Sequence, residues 1–344
     1  MLHFPKTATA CWIAGLVCLG LSLSGCGEAR VAREVRDGKK VFRFAGTYPI
    51  HAVATVGMVA DMVRAVGGEH VVVEQMLGAG VDPHLYKATR DDVRLILKAD
   101  LVFYNGLFLE GKMIDILQKV SKTRPVFALA NGLDAQLLVG DSESEDHHDP
   151  HVWMDVAYWS QGIDEVLERL SEYDPQHSAD FLRNAERYRE ELRRLDAYAK
   201  STLATIPQDR RIFLTSHDAF HYFGRAYGLE VMGIQGISTE SEAGLRRVNE
   251  LVDLIVEKKV PAVFFESSVP QRSIEAIVAG AGSRGHRVEI LGPLYSDAMG
   301  DAGTYEGTYV GMIDHNVTLV ARGLGGTAPA LGSQGKLSLS GHSE

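Results

Sequence analysis

Asp82-Pro83-His84-Leu85-Tyr86 returns almost letter for letter as Asp149-Pro150-His151-Val152-Trp153. In each copy a proline fixes the backbone directly before a histidine, so the imidazole leaves the chain from a stiff loop. The aliphatic-aromatic pair that follows can plug into a core and anchor the loop from the other side. Two such histidines invite a search for further metal ligands. In open α/β sheets, ligands collect at the carboxyl ends of strands. There the chain offers His217, after Ile212-Phe213-Leu214, and Asp297, in Leu294-Tyr295-Ser296-Asp297-Ala298. The candidate set is therefore three imidazoles and a carboxylate, two from each half, separated by 67, 66 and 80 positions. This is neither a zinc-finger spacing nor an HExxH helix. Such ligands meet only if two domains close a cleft.

Each candidate has a plainer reading. His217 can simply flank a helix, or pair locally with His221 four residues on. Asp297, with Asp301 nearby, can be loop chemistry. Glu266 follows the strand ending Phe264-Phe265 and is expected to support a ligand or the fold rather than bind metal. His147 and His148 lie in an acidic loop (141–149, DSESEDHHD) and read as solvated or transiently metal-collecting. His51, His70, His177, His286 and His315 read as ordinary. No GxxxxGK[ST] phosphate loop occurs, so the chain is not itself an ATPase, and neither a GxSxG elbow nor a convincing GxGxxG appears.

The elements that must position these groups alternate. Strands are expected at 41–45, 71–76 and 101–104, with helices over 53–66 and 90–98. The latter is opened by Thr89 as N-cap, with Asp91 and Asp92 favourable to the dipole. From 156 to about 206 the pattern is long and helical, notably Phe181 to Leu203, and reads as a stiff spine. The second half repeats the rhythm, with strands at 211–214, 230–234, 261–265 and 288–291. Its helices are expected at 218–227, 243–258, 273–281 and 308–324. Parallel βαβ units follow.

The domain reading is a signal peptide over 1–25, a tether over 26–40, a first α/β lobe over 41–155 and a linking helical region over 156–206. A second lobe covers 207–324 and a disordered Gly/Ser/Ala/Pro tail 325–344. The signal carries Lys6, an apolar run from Ala8 to Leu23 and the ending Leu23-Ser24-Gly25-Cys26, which matches a lipoprotein box. The competing reading is an uncleaved anchor helix. Cys11 and Cys18 fall inside the signal, so Cys26 alone survives and would carry the lipid. The mature chain then has neither disulfide nor thiolate ligand, and a metal site must use histidine and carboxylate. A net charge of −10 without a basic run excludes nucleic acid as partner. At 344 residues, 45% hydrophobic and 23% charged, the chain suits two globular domains.

Taken in order, five stretches, the last of them Tyr295-Ser296-Asp297-Ala298, resemble the solute-binding lipoproteins of zinc and manganese ABC importers. The other four are Gly80 to Tyr86, Tyr104-Asn105-Gly106-Leu107-Phe108-Leu109-Glu110, Asp149-Pro150-His151-Val152-Trp153-Met154-Asp155, and Ser216-His217-Asp218-Ala219-Phe220-His221-Tyr222-Phe223. The TroA-like branch of cluster A-I is favoured by Gly233-Ile234-Gln235-Gly236-Ile237-Ser238-Thr239 and by Ser296 to Gly303. The resemblance implies two α/β lobes with mostly parallel sheets, joined by a long rigid backbone helix, with the metal in the interlobe cleft. It implies His84 and His151 as ligands from the first lobe, and His217 and Asp297 from the second. It further implies a monomeric receptor, exported and anchored to the membrane by lipid at Cys26, in the periplasm or on the outer face of the cytoplasmic membrane. Such a receptor hands its ion to an ABC permease driven by a cytoplasmic ATPase. Two features depart from the family. His221 stands where relatives have a small residue, and the acidic histidine loop is far shorter than in zinc-specialised members.

Three imidazoles and one carboxylate suit Zn2+, while Mn2+ prefers more oxygen and Fe2+ comes behind. Two other function classes are weighed against the receptor. One is an exported zinc hydrolase, which would keep an open water position and a general base. The other is an adhesin that metal only stiffens.

Overall fold

The computed structural model describes residues 31–36, 39–141 and 144–338. The signal, Cys26 and the last six residues lie outside them. β1 (Val31–Arg36) and β2 (Lys39–Phe44) form an antiparallel hairpin, where a tether and then a sheet strand were expected. The first lobe's sheet instead begins at β3 (Ile50–Ala54), whose last two residues the sequence reading assigned to a helix over 53–66 and whose first three it left unassigned. A short, almost fully buried apolar strand running into an apolar helix shows no change of period at the join. The helix, α1, spans Gly57–Gly67.

β4 (Val71–Gln75), α2 (Arg90–Lys98) and β5 (Leu101–Tyr104) follow as expected. Thr89 caps α2 through a reciprocal capping box with Asp92. α3 (Ile114–Ser121) and β6 (Val126–Ala128), not anticipated from the sequence, complete a four-stranded parallel sheet of order β4-β3-β5-β6. The acidic segment contributes β7 (Gly140–Asp141) and β8 (Ser144–His148), a small antiparallel pair.

α4 (Val156–Trp159), α5 (Gly162–Tyr173) and α6 (Ser178–Leu203) occupy the expected helical region. At 26 residues α6 is roughly 39 Å long. It buries Phe181, Ala185, Tyr188, Leu192, Leu195, Ala199 and Leu203 at three- and four-residue steps, one continuous stripe. Its amino-terminal half grips the first lobe, with Tyr188 Oη donating to Asp61 at 3.1 Å and Asn184 to the Val66 carbonyl at 3.1 Å. Its carboxyl-terminal half reaches the second, where Tyr198 Oη and Thr318 Oγ1 are 3.0 Å apart. One rigid rod therefore fixes both lobes.

The second lobe runs β9 (Ile212–His217), α7 (His221–Tyr227), β10 (Glu230–Gln235), α8 (Leu245–Lys258), β11 (Ala262–Glu266), α9 (Arg272–Ser283), β12 (Glu289–Leu294) and α10 (Tyr309–Gly323). Its sheet is parallel, of order β10-β9-β11-β12. Each sheet is packed on both faces. α2 and α3 bury Ile96, Leu117 and Val120 on one side of the first, and α8 and α9 bury Leu251, Ile255, Ile274 and Ile277 on one side of the second. A large shared core joins the remaining faces around α1, α5, α6 and α10.

Residues 325–338, read from composition as a disordered tail, fold back onto α10. Glu306 Oε1 accepts the Ser338 N–H at 2.6 Å, Thr205 Oγ1 accepts the Thr327 N–H at 2.8 Å, and Asp314 holds the middle. Its buried carboxylate accepts the Ser333 N–H at 2.9 and 3.0 Å and the Ser333 hydroxyl at 2.8 Å. Among the described residues no helix is long and apolar enough to cross a membrane.

Candidate metal centre

The two Asp-Pro-His loops are built by their aspartates. Asp82 Oδ1 accepts the main-chain N–H of His84 at 2.8 Å, and Asp149 Oδ1 accepts that of His151 at 2.9 Å. Each is a side-chain-to-backbone turn two residues long, made possible by a proline that needs no donor partner between them. The loop leaving β4 reaches this turn through Gly80, whose φ of +69° favours glycine. The second copy does more. Asp149 Oδ1 also lies 2.7 Å from His151 Nδ1, which fixes the tautomer so that Nε2 presents its lone pair. The aliphatic-aromatic pair anchors the second loop as expected, with Val152 and Trp153 fully buried. In the first loop only the aromatic member does so: Tyr86 packs against the core and donates its hydroxyl to Asp92 at 2.7 Å, while Leu85 is 48% exposed.

β9 carries His217 at its carboxyl end, and β11 ends on Glu266 beside it. Glu266 Oε1 accepts the His217 N–H at 2.9 Å, and Oε2 stands 2.5 Å from His217 Nδ1. Asp297 arrives on the loop after β12. The four side chains converge. His151 Nε2 is 3.3 Å from both His84 Nε2 and His217 Nε2, and 3.2 Å from Asp297 Oδ1. Asp297 Oδ2 is 3.3 Å from His217 Nε2 and 3.9 Å from His84 Nε2. All four residues are buried, and among the described residues theirs is the single cluster of ligating side chains able to hold an ion.

Ligands about 2.0–2.1 Å from a common centre stand roughly 3.3 Å from one another in a tetrahedron. The separations around His151 and between His217 and Asp297 lie on that scale, at 3.2–3.3 Å, while His84 stands 3.9 Å from Asp297. Both Asp297 oxygens are buried without a hydrogen-bond partner, although buried carboxylates are ordinarily satisfied. An ion among the three Nε2 atoms would supply what they lack.

The electrostatics are those of a cation site. Burial pushes the His84 imidazole down to about 3, so it stays neutral. Burial also opposes charge on His151, but Asp149 prevails and lifts it to about 9. Glu266 and Asp297 likewise overcome burial at His217 and hold it well above the ordinary range. Asp297 is kept well below the usual carboxylate range despite burial, by His217 first and then His151.

His221 does not join the cluster. It sits 30% exposed, with Nδ1 3.1 Å from Asp149 Oδ2, and so buttresses the carboxylate that holds His151. The local His217–His221 pair is thereby replaced by a longer chain of contacts. His147 and His148 also lie apart; His147 packs on Phe108, ring centroids 4.4 Å apart, and His148 is exposed. Asp149 and Asp82 are the positioning residues that the sequence reading did not single out. Their signal was present in the repeated Asp two places before each histidine.

Residues 52–323 match the family model described as "Zinc-uptake complex component A periplasmic". Among curated proteins, the chain is 43% identical over 312 residues to the manganese-binding lipoprotein MntA of Bacillus subtilis, covering 91% of this chain and 98% of that one. It is 45% identical over 270 residues to the zinc-binding protein TroA of Treponema pallidum, covering 78% and 87%. The solved structure of the periplasmic zinc-binding TroA superposes with a TM-score of 0.78 at 43% identity, covering 80% of this chain and 99% of that one.

Proposed function

The chain belongs to the zinc-uptake component A family, the metal-binding receptors of ABC importers, and we propose that its cargo is Zn2+, held by His84, His151, His217 and Asp297. It is a transport receptor that faces outward and serves a permease and its ATPase, and it is not an enzyme. The observation that carries the zinc reading is the donor set. Three imidazoles and one carboxylate converge, with His151 3.2–3.3 Å from the other three ligands and His217 3.3 Å from Asp297, and carboxylates back the rings of His151 and His217.

Manganese is the second reading, and one observation favours it. Both Asp297 oxygens face the imidazoles, so bidentate binding would raise the coordination number towards what Mn2+ prefers. The similarity to a manganese-binding lipoprotein points the same way. By the Irving–Williams order the site binds zinc more tightly in vitro whichever metal the cell loads. Metal content of the protein isolated from its native host therefore decides. About one equivalent of zinc supports the first reading, and manganese in its place assigns the second. In the same proposal the receptor acts as a monomer, tethered by lipid on Cys26 after the signal is removed. Mass analysis of the mature amino terminus tests the anchor.

A further inference from the structure

The motif Gly236-Ile237-Ser238-Thr239 and the residues after it, between β10 and α8, hold none of the four ligands, yet they reach the other lobe. Thr239 is 8% exposed, and its hydroxyl donates to Asp82 Oδ2 at 2.6 Å. Asp82 Oδ1 is the same group that accepts the His84 N–H at 2.8 Å. One carboxylate thus holds the His84 turn with one oxygen and the opposite lobe with the other. The adjacent Glu240 makes a second contact across the cleft, 2.8 Å from Lys112 Nζ, but there both side chains are substantially solvated. Nearby, the loop carrying His84 also approaches the second lobe closely, since a Cβ on Gly80 would lie 3.4 Å from the Ser267 carbonyl oxygen.

We propose that Thr239 is a positioning residue for metal retention, a latch from the second lobe that holds the closed cleft through Asp82 and thereby keeps His84 on the ion. The proposal rests on the four-residue metal site. His151 and His217 each have a carboxylate against the Nδ1 of the ring. For His84 the carboxylate grip is on the main chain, so the place of its ring depends on the loop, and the loop on Asp82. Asp82 in turn is shared with a residue that can leave only when the lobes part. Release of the ion then requires the Thr239–Asp82 contact to break, and the contact sets the dissociation rate more than the association rate.

Stopped-flow release of Zn2+ from the loaded protein into excess chelator tests this, with wild type, Thr239→Val, Thr239→Ser, Lys112→Met and His217→Ala compared. Thr239→Val keeps the shape and removes the donor. A hydrogen bond to a charged acceptor corresponds to about tenfold or more in an equilibrium constant, so release is expected to quicken by about tenfold with the association rate nearly unchanged. Thr239→Ser restores slow release. Lys112→Met changes release by less than about threefold, because a solvated ion pair contributes little. Wild-type release from Thr239→Val overturns the latch, as does an equal acceleration in Lys112→Met, or a slowed association without faster release. If Thr239→Val folds poorly, fast release from Thr239→Ser, which keeps the donor, overturns it as well. His217→Ala separates the two readings. Undiminished zinc binding there sinks the metal site itself, whereas loss there with unaltered Thr239→Val kinetics sinks the latch alone.

Discussion

Glu266 meets His217 at two points, accepting its main-chain N–H at 2.9 Å and standing 2.5 Å from its ring Nδ1. Strand β11 therefore fixes the place of a residue on strand β9 and sets a carboxylate against its ring. The register that sets Phe264 opposite Thr215 brings the two strand ends together. Glu266→Gln keeps the size of the side chain and removes its charge. Outer partners of this kind contribute about 10- to 100-fold to metal affinity. The substitution should weaken zinc binding within that range while one equivalent still binds. Competition against a chromophoric chelator reads the effect, and an unchanged affinity would show that Glu266 serves the fold only.

His221→Ala should behave differently from any ligand substitution. The imidazole supports Asp149 from outside, while His151 keeps both of its own contacts to that carboxylate. Binding of about one equivalent should persist, with affinity reduced by less than about tenfold, below the usual span for a buried supporting group. A loss as large as that of His217→Ala would instead make His221 a ligand.

Zinc binding should release protons at neutral pH. Neighbouring carboxylates lift His151 to about 9 and His217 well above its ordinary value in the metal-free closed form, so the ion competes with protons for these rings. His84, depressed to about 3, carries none. The sign follows directly. Raising pH through the elevated values removes a competitor, so apparent affinity increases by up to about tenfold per unit for each displaced proton and levels off above them. Calorimetry at about pH 7 in buffers of different ionisation enthalpy measures the release. A heat independent of buffer would contradict it.

Metal-linked stability should follow the same ligands. An ion held at about a hundredfold above its dissociation constant adds roughly 2.7 kcal/mol to the folded state. In a chain of this size that corresponds to several degrees in melting temperature. Thermal unfolding of the protein from Gly27 should show this increment with zinc and lose it when His84 and His151 are both replaced by alanine. Retention of one-to-one binding in that double variant would sink the proposed site.

The four candidate ligands were legible because each sits where the sequence shows a break. A proline precedes two of them, and the other two follow short apolar runs that end at the cleft. Most strands and helices of the second lobe were legible for the same reason, since Gly228 and Thr308 mark real helix ends. β3 was not, because the four buried residues of Ile50-His51-Ala52-Val53-Ala54, all but His51, merge into the apolar face of α1 without a turn signal. The segment 325–338 was hidden by its small residues, and the polar groups that hold it, Asp314 on α10, Glu306 and Thr205, lie outside it in the sequence. Pairing across the cleft was invisible too. Thr239 and Asp82 are 157 positions apart, and no local pattern connects them.

Trp153 joins the two halves of the site from beneath. Its indole N–H donates to the Ser296 carbonyl at 2.9 Å, one residue before Asp297, and its own carbonyl accepts the Tyr309 hydroxyl at 2.7 Å. Its ring stacks edge-on against His151, centroids 5.3 Å apart. Trp153→Phe removes the N–H from a fully buried position and leaves the Ser296 carbonyl without that donor. The lost hydrogen bond and the smaller ring together should destabilise the metal-free protein by about 2–3 kcal/mol. Because Trp153 is two residues from His151 and holds the neighbour of Asp297, zinc affinity should fall as well. Urea unfolding of the metal-free variant and zinc competition on the folded variant separate the two effects. Lower stability with wild-type affinity would mean that Trp153 packs the interface without aligning the ligands on either side of it.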